Sequence, residues 1–226
     1  MKILSIIPAR GGSKGIPRKN LILLNKKPLL DYSINASTNS KYISKTVLST
    51  DDDEIEVYGK KFPITIIKRP KNLASDDAPL DSTITHVLDH LKDTEDFIPD
   101  VIILLQNTSP LRTSKHIDNA LELFFKKNHD SFLSVYSSHK FIWHQLDDVV
   151  TPVNYDPLKR PNRQDFSNEF IENGAIYITK YDSFQKTHCR ISGKIGHYLM
   201  PENLSLEIDT EYDIFLAEHL LNKMRK

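Results

Sequence analysis

The chain has 226 residues, with 30 basic and 30 acidic side chains, so its formal charge at neutral pH is zero. That balance argues against nucleic acid held by bulk electrostatics, and 39% apolar with 27% charged residues is the composition of a globular chain rather than a disordered one. A single cysteine, Cys189, can form neither an internal disulfide nor a multi-cysteine zinc site, and no stretch approaches the roughly 18 apolar residues of a membrane span; a cytoplasmic protein without membrane partners is expected.

In chain order, Ile3-Leu4-Ser5-Ile6-Ile7 predicts a strand, and Pro28 to Asn39 a helix that starts at a proline. Lys45 to Ser49 predicts a second strand, followed by an acidic turn at Asp51-Asp52-Asp53 and a short helix. Ile64 to Ile67 predicts a third strand, and Ile84, Val87, Leu88 and Leu91 recur at the spacing of a helix face. Val101 to Leu105 is continuously apolar, as in a central strand covered on both faces. A helix over Ser114 to Lys127 and a strand over Ser131 to Tyr136 continue the alternation, which implies an α/β fold with a mostly parallel sheet and helices on both faces.

The alternation then breaks. Residues 137–172 are polar, hold the only tryptophan (Trp143) and show no steady period, so an arm or hairpin that packs on something else is expected there. Ala175 to Thr179 and His197 to Met200 predict returning strands, and Thr210 to Lys226 an amphipathic helix.

Three of the seven glycines fall at Gly11, Gly12 and Gly15, directly after the first strand, in PARGGSKGIPRKN. Glycines there let backbone N–H groups approach an anion, Ser13 adds a hydroxyl, and Arg10, Lys14, Arg18 and Lys19 supply four cations. That density of charge suits a triphosphate, although the spacing is neither a dinucleotide fingerprint nor an ordinary P-loop. Further along, Glu207 and Asp209 stand two apart, so in an extended segment both point the same way and can bracket one hard cation such as Mg²⁺.

IPARGGSKGIPRKN resembles the N-terminal signature of the CMP-sialic acid synthetases, the N-acylneuraminate cytidylyltransferases and their nonulosonate relatives. STDDDEI at 49–55, RPKNLASDDA at 69–78, LLQNTSPLR at 104–112, ENGAIYI at 172–178 and LEIDTEYD at 206–213 match in the same order. The resemblance implies a Rossmann-like nucleotide-diphosphosugar transferase fold with a dimerisation arm, here 137–172, inserted in a single domain, and hence a homodimer. It implies transfer of CMP from CTP, with Mg²⁺, to the anomeric hydroxyl of a nine-carbon α-keto acid sugar, and release of pyrophosphate. On the matching positions, Arg10 and Lys19 become the triphosphate cations, and Ala9, Gly11, Gly12, Ser13, Asn20 and Arg69 the remaining nucleotide contacts. Gln106, Arg163, Asn173 and Tyr177 become sugar contacts, Glu207 and Asp209 the metal carboxylates, and Arg10, Lys19 and Asp209 the catalytic set.

Three departures stand out. Glu207-Ile208-Asp209 replaces the commoner Asp-x-Asp, Asn107 replaces the proline of LQPTSPLR and is expected to loosen that loop, and Ile171 stands where some relatives carry arginine. Legionaminate, pseudaminate or an eight-carbon keto-deoxy acid therefore remain alternative acceptors, and a catalytically weak CTP-sensing relative is a second alternative. Asp51, Asp52 and Asp53 read as a helix cap before a ligand set, and Ser75-Asp76-Asp77 as either a cap or a nucleotide contact. Lys140, His139 and His144 around Trp143 suggest cation–aromatic packing, with Lys140 a candidate for the sugar carboxylate. Cys189 beside His188 lacks a third orienting group and is an incidental thiol.

Overall fold

Strand β1 (Ile3–Pro8) is buried from Ile3 to Ile7 and stands inside the sheet, which is why it reads as an apolar run interrupted only by the buried Ser5. The computed structural model describes residues 1–13, 15–162, 164 and 169–224. Beside β1 lie β4 (Lys45–Thr50) and β6 (Val101–Leu104), both parallel to it, and β5 (Thr65–Lys68) extends the sheet beyond β4. A two-strand turn, β2 (Leu23–Leu24) with β3 (Lys27–Pro28), leads into helix α1 (Leu29–Thr38), whose N-cap is Pro28. Helix α2 (Asp53–Gly59) follows β4, and α3 (Leu80–Glu95) connects β5 to β6. The predicted face of α3 is the buried one: Ile84, Val87, Leu88 and Leu91 pack with Leu4, Ile6 and Ile102.

On the other side, α4 (Ser114–Lys127) leads to β7 (Ser131–Ser137), and the long β10 (Phe170–Lys180) runs antiparallel between β6 and β7. After α5 (Tyr181–Thr187), β11 (Ile195–Leu199) adds a parallel edge strand on β7, and α6 (Glu211–Met224) closes the described chain. The sheet order is β11-β7-β10-β6-β1-β4-β5, seven strands in all, with β10 reversed. The alternation breaks between β7 and β10, and among the described residues the arm carries no crossover α-helix; the chain returns antiparallel.

The polar stretch is framed by the ends of β7 and β10 and contains a hairpin, β8 (Trp143–Leu146) with β9 (Val149–Pro152), joined through Asp147 in the left-handed region. Leu146, Val149 and Val150 of the hairpin are exposed. Trp143 and Phe141 each meet the ring of Tyr155 edge-on, and the cation resting on that cluster is Arg160, 4.1 Å above Phe141, in place of the Lys140 that spacing suggested. Among the described residues no helix is long and apolar enough to cross a membrane.

Candidate active site

The chain goes from β1 out to β4 and β5 and then returns to β6 on the opposite side of β1, so the crevice beyond the ends of β1 and β6 is a topological switch point. A cleft of about 380 Å³ opens there, lined by Arg10, Gly12, Ser13, Lys19, Asn20, Arg69, Gln106, Asn107, Glu207 and Asp209, among others. That volume lies within the usual range of small-molecule sites. Most of the residues singled out from sequence therefore meet in one place, from segments as far apart as 190 positions.

Lys19 sits in the short 3-10 helix Lys19–Leu21 and reaches across the cleft to the C-terminal segment. Its Nζ donates to the Ile208 carbonyl at 2.7 Å and to Asp209 Oδ1 at 2.9 Å. Residues 205–209 join no helix or strand and are held by the Ile208 N–H on the Thr108 carbonyl at 2.7 Å. Ile208 is fully buried, so Glu207 and Asp209 turn together to the cleft, as their spacing requires. Burial raises the Glu207 pKa, and the charges of Asp209 and Glu172 add to it against the opposing pull of Lys19. Two repelling carboxylates, Glu207 partly buried and Asp209 exposed, offer hard oxygens that fit a divalent cation, with its remaining ligands left to water or phosphate.

Other cations take different posts. Arg10 Nη1 pairs with Asp76 at 2.7 Å at the rim. Arg18 turns away to Asp52 and Glu54 at the start of α2 and does not line the cleft. Lys14 lies outside the described residues, as does Arg163. Asp52 is the N-cap of α2, accepting from Glu54 N and Ile55 N, as the acidic turn predicted. Asp51 instead accepts the Gly11 N–H at 3.1 Å, so that amide is committed to the protein. Ala9 is fully buried with its N–H on the Ser49 carbonyl, which places it behind the loop rather than on the cleft wall.

Arg69 follows β5 and is 5% exposed. Nη1 donates to Thr83 Oγ1 at 2.8 Å, whereas Nε and Nη2 have no hydrogen-bond partner. Burial lowers its pKa, partly offset by Asp51. A second compartment of about 200 Å³, lined by Leu73, Ala78, Leu80 and Thr83, shares Arg10 and Arg69 with the main cleft.

Two expected sugar contacts sit elsewhere. Asn173 is 1% exposed, and its Nδ2 donates to Ser205 Oγ at 2.9 Å while its Oδ1 accepts from Ser134. Tyr177 is buried in the core beneath α3, its hydroxyl on Glu172 and its ring 4.8 Å from the Arg190 guanidinium, so its pKa is raised by burial and by Glu172. Both residues are satisfied within the protein and neither lines the cleft. Gln106 does line it.

Asn107 overturns its own expectation. It is 4% exposed and donates from Nδ2 to the Pro8 carbonyl at 3.1 Å and to Asn20 Oδ1 at 3.0 Å, so it fastens the loop instead of loosening it. Arg112 was hidden in the SPLR run: fully enclosed, it has its pKa pushed down to about 9 by burial, and it donates to the carbonyls of Gln106 and Ala175 and to Ser33 Oγ. Gly174 has φ +64, and a Cβ there would collide with Glu207 Oε1 and Gln106 Oε1. The NG pair is a visible turn signal, yet its closeness to two cleft side chains is a long-range fact.

A family model described as cytidylyltransferase matches residues 4–225. The chain belongs to the cytidylyltransferase family. N-acylneuraminate cytidylyltransferase A of Danio rerio is 34% identical over 220 residues, covering 96% of this chain and 50% of that protein. The N-acylneuraminate cytidylyltransferase of Escherichia coli O18:K1:H7 is 34% identical over 229 residues, covering 100% of this chain and 53% of that protein. The chain thus spans about half the length of the curated relatives it matches. In structure, CMP:2-keto-3-deoxy-manno-octonic acid synthetase complexed with CTP superposes with TM-score 0.72 at 16% identity, covering 99% of this chain and 100% of that one. A 4-diphosphocytidyl-2C-methyl-D-erythritol synthase gives TM-score 0.73 at 12% identity, covering 97% and 98%. These likenesses establish the fold that the sequence implied.

Proposed function

We propose that this member of the family transfers CMP from CTP to the anomeric hydroxyl of a nine-carbon α-keto acid sugar, N-acetylneuraminate or a relative, releasing pyrophosphate. The observation that carries the reading is the single cleft in which Lys19, paired to Asp209, faces Arg10, Ser13 and Glu207 at the end of β1. The names of the relatives from Danio rerio and Escherichia coli support the acceptor class.

Nucleotidyl transfer needs alignment and charge neutralisation more than covalent help from the protein. In this reading the triphosphate lies along Gly12, Ser13, Arg10 and Lys19, and Arg10 exchanges Asp76 for phosphate oxygens. The base takes the compartment beside Arg69, whose Nε and Nη2, without hydrogen-bond partners although Nη2 stands 4.0 Å from Asp51, offer donors to its acceptor edge. The sugar hydroxyl then attacks the α-phosphorus, giving up its proton to water, as the bond to pyrophosphate breaks, with Lys19 neutralising the leaving group. Glu207 and Asp209 would hold Mg²⁺, which supplies Lewis-acid polarisation of the phosphate. The arm, with Trp143, Leu146, Val149 and Val150 outward, joins a second copy into a homodimer, and the lone thiol Cys189 suits the cytoplasm.

The decisive experiment is pyrophosphate release from CTP and Mg²⁺ with N-acetylneuraminate, legionaminate, pseudaminate and an eight-carbon keto-deoxy acid. Release with one of them identifies the acceptor. CTP binding with no release for any would replace catalysis by the CTP-sensing alternative.

A further inference from the structure

Asn107 and Asn20 form a directed chain of hydrogen bonds across the floor of the cleft. Asn20 Nδ2 donates to the Arg10 carbonyl at 2.9 Å, and Asn20 Oδ1 accepts from Asn107 Nδ2 at 3.0 Å. Asn107 Nδ2 also donates to the Pro8 carbonyl at 3.1 Å. Both amide orientations follow from the ends of the chain, because backbone carbonyls only accept. Pro8 requires the NH₂ of Asn107 to face it, and Arg10 requires the NH₂ of Asn20.

The arrangement has a cost that its own bonds do not offset. Asn107 Oδ1 is buried with no hydrogen-bond partner, and leaving a buried acceptor unsatisfied is destabilising. An amide placed only for its own satisfaction would not leave that oxygen bare. What the orientation secures is the state of Asn20, whose oxygen is occupied and cannot turn toward the cleft that Asn20 lines. An amide nitrogen carries two hydrogens, so one remains after the bond to Arg10.

We propose that Asn107 is a positioning residue that locks the amide of Asn20 so that it presents an N–H, and never its carbonyl, to an oxygen of the nucleotide's phosphate chain. Phosphate oxygens only accept, so a flipped Asn20 would oppose them lone pair to lone pair. A proline in place of Asn107 has no side-chain donor and could not impose this polarity. The inference rests on the nucleotide half of the proposed function and on no property of the acceptor sugar.

The test is a double-mutant cycle on CTP affinity by calorimetry, using Asn107→Ala, Asn20→Ala and the double variant, with cytidine as the uncharged control. Asn107→Ala is expected to weaken CTP about tenfold, the scale of one hydrogen bond. It should leave cytidine within about twofold and lose its effect when Asn20 is already alanine. Asn107→Ser, which keeps a hydroxyl donor, should recover part of the affinity, and thermal melting reports whether each variant folds. Additive losses in the cycle, or equal losses for CTP and cytidine, would overturn the lock and leave Asn107 a loop fastener only. Absence of CTP binding by the native chain would instead overturn the proposed function, and this inference with it.

Discussion

Lys19 Nζ lies 2.9 Å from Asp209 Oδ1 and 2.7 Å from the Ile208 carbonyl, so the first loop and the segment before α6 are joined by one ammonium group. Its side chain is 12% exposed, whereas Asp209 is 71% exposed, so the contact is held from the lysine side. In the proposed reaction Lys19 neutralises the leaving pyrophosphate, so Lys19→Ala would remove that charge. Turnover is expected to drop by about two to three orders of magnitude, the scale of losing one preorganised electrostatic contact. Steady-state kinetics, with far-ultraviolet circular dichroism as the fold control, checks this; near-native turnover would remove Lys19 from the reaction.

The paired carboxylates make a second prediction. Asp209→Asn keeps the shape of the side chain and lowers the charge that a divalent cation would meet. The Mg²⁺ concentration for half-maximal activity should rise at least about tenfold, as should that of Glu207→Gln if both side chains are ligands. A titration in which only Asp209→Asn moves would leave Glu207 as an electrostatic neighbour. One in which neither variant moves would take the metal away from this pair.

Much of this site was legible because it is carried by local patterns. The glycine loop follows an apolar strand, and Glu207 and Asp209 share a face at any extended geometry, so their meeting needed only the fold. Asn173 and Tyr177 stand outside the lining of the cleft for the opposite reason. They occupy a recognisable motif on β10, but whether each side chain faces the cleft or the core depends on Ser134 and Ser205, which reach Asn173 from other segments, and on the shift in register within β10 that brings Glu172 to the Tyr177 hydroxyl. Asn107 was misread because its acceptors are the Pro8 carbonyl and Asn20, 99 and 87 positions away. The reversal of β10 likewise depends on an arm whose irregular sequence carries no period.

Gly174 tests how closely the site is packed. Its φ of +64 disfavours any side chain, and an added Cβ would meet the ends of Glu207 and Gln106 rather than rigid backbone. Gly174→Ala should cost about 1–2 kcal/mol of stability, from the backbone strain, and a larger share of activity as both cleft side chains shift. Urea unfolding and kcat/KM measured on the same preparation separate the two effects. A fall in stability with unchanged kcat/KM would show that Glu207 and Gln106 can move without consequence.

Helix α4 carries a pH-sensitive cap. Thr113 N donates to His116 Nδ1 at 3.2 Å, which requires the neutral ring, and burial followed by the charges of Arg112 and Lys115 lowers the His116 pKa below 6.5. The unfolded chain therefore binds a proton first as pH falls. The stabilisation is complete above the unfolded value of about 6.5 and is lost as pH drops toward the folded one. His86 and His129, also lowered by burial, contribute in the same direction. His116→Gln keeps an acceptor at this capping position and removes the titration, so the decline in melting temperature from pH 7 to pH 5 should be shallower than in the native chain. An unchanged slope would assign the acid sensitivity to the other two histidines.

The hairpin β8–β9 exposes Leu146 at 70%, Val149 at 63% and Val150 at 56%, beside a half-exposed Trp143. Apolar side chains this closely grouped on a projecting element suit burial against a second copy of the chain. Leu146→Asp combined with Val149→Asp would place two charges in that contact while touching nothing in the core. Sedimentation equilibrium should then report a monomer where the native chain reports a dimer, with the melting temperature of the sheet domain little changed at protein concentrations low enough to dissociate both. A native monomer would remove the dimer from the proposal, and a dimer that survives both charges would move the interface off the hairpin, leaving the exposed edge strand β11, with Ile195 and Leu199, as the next face to substitute.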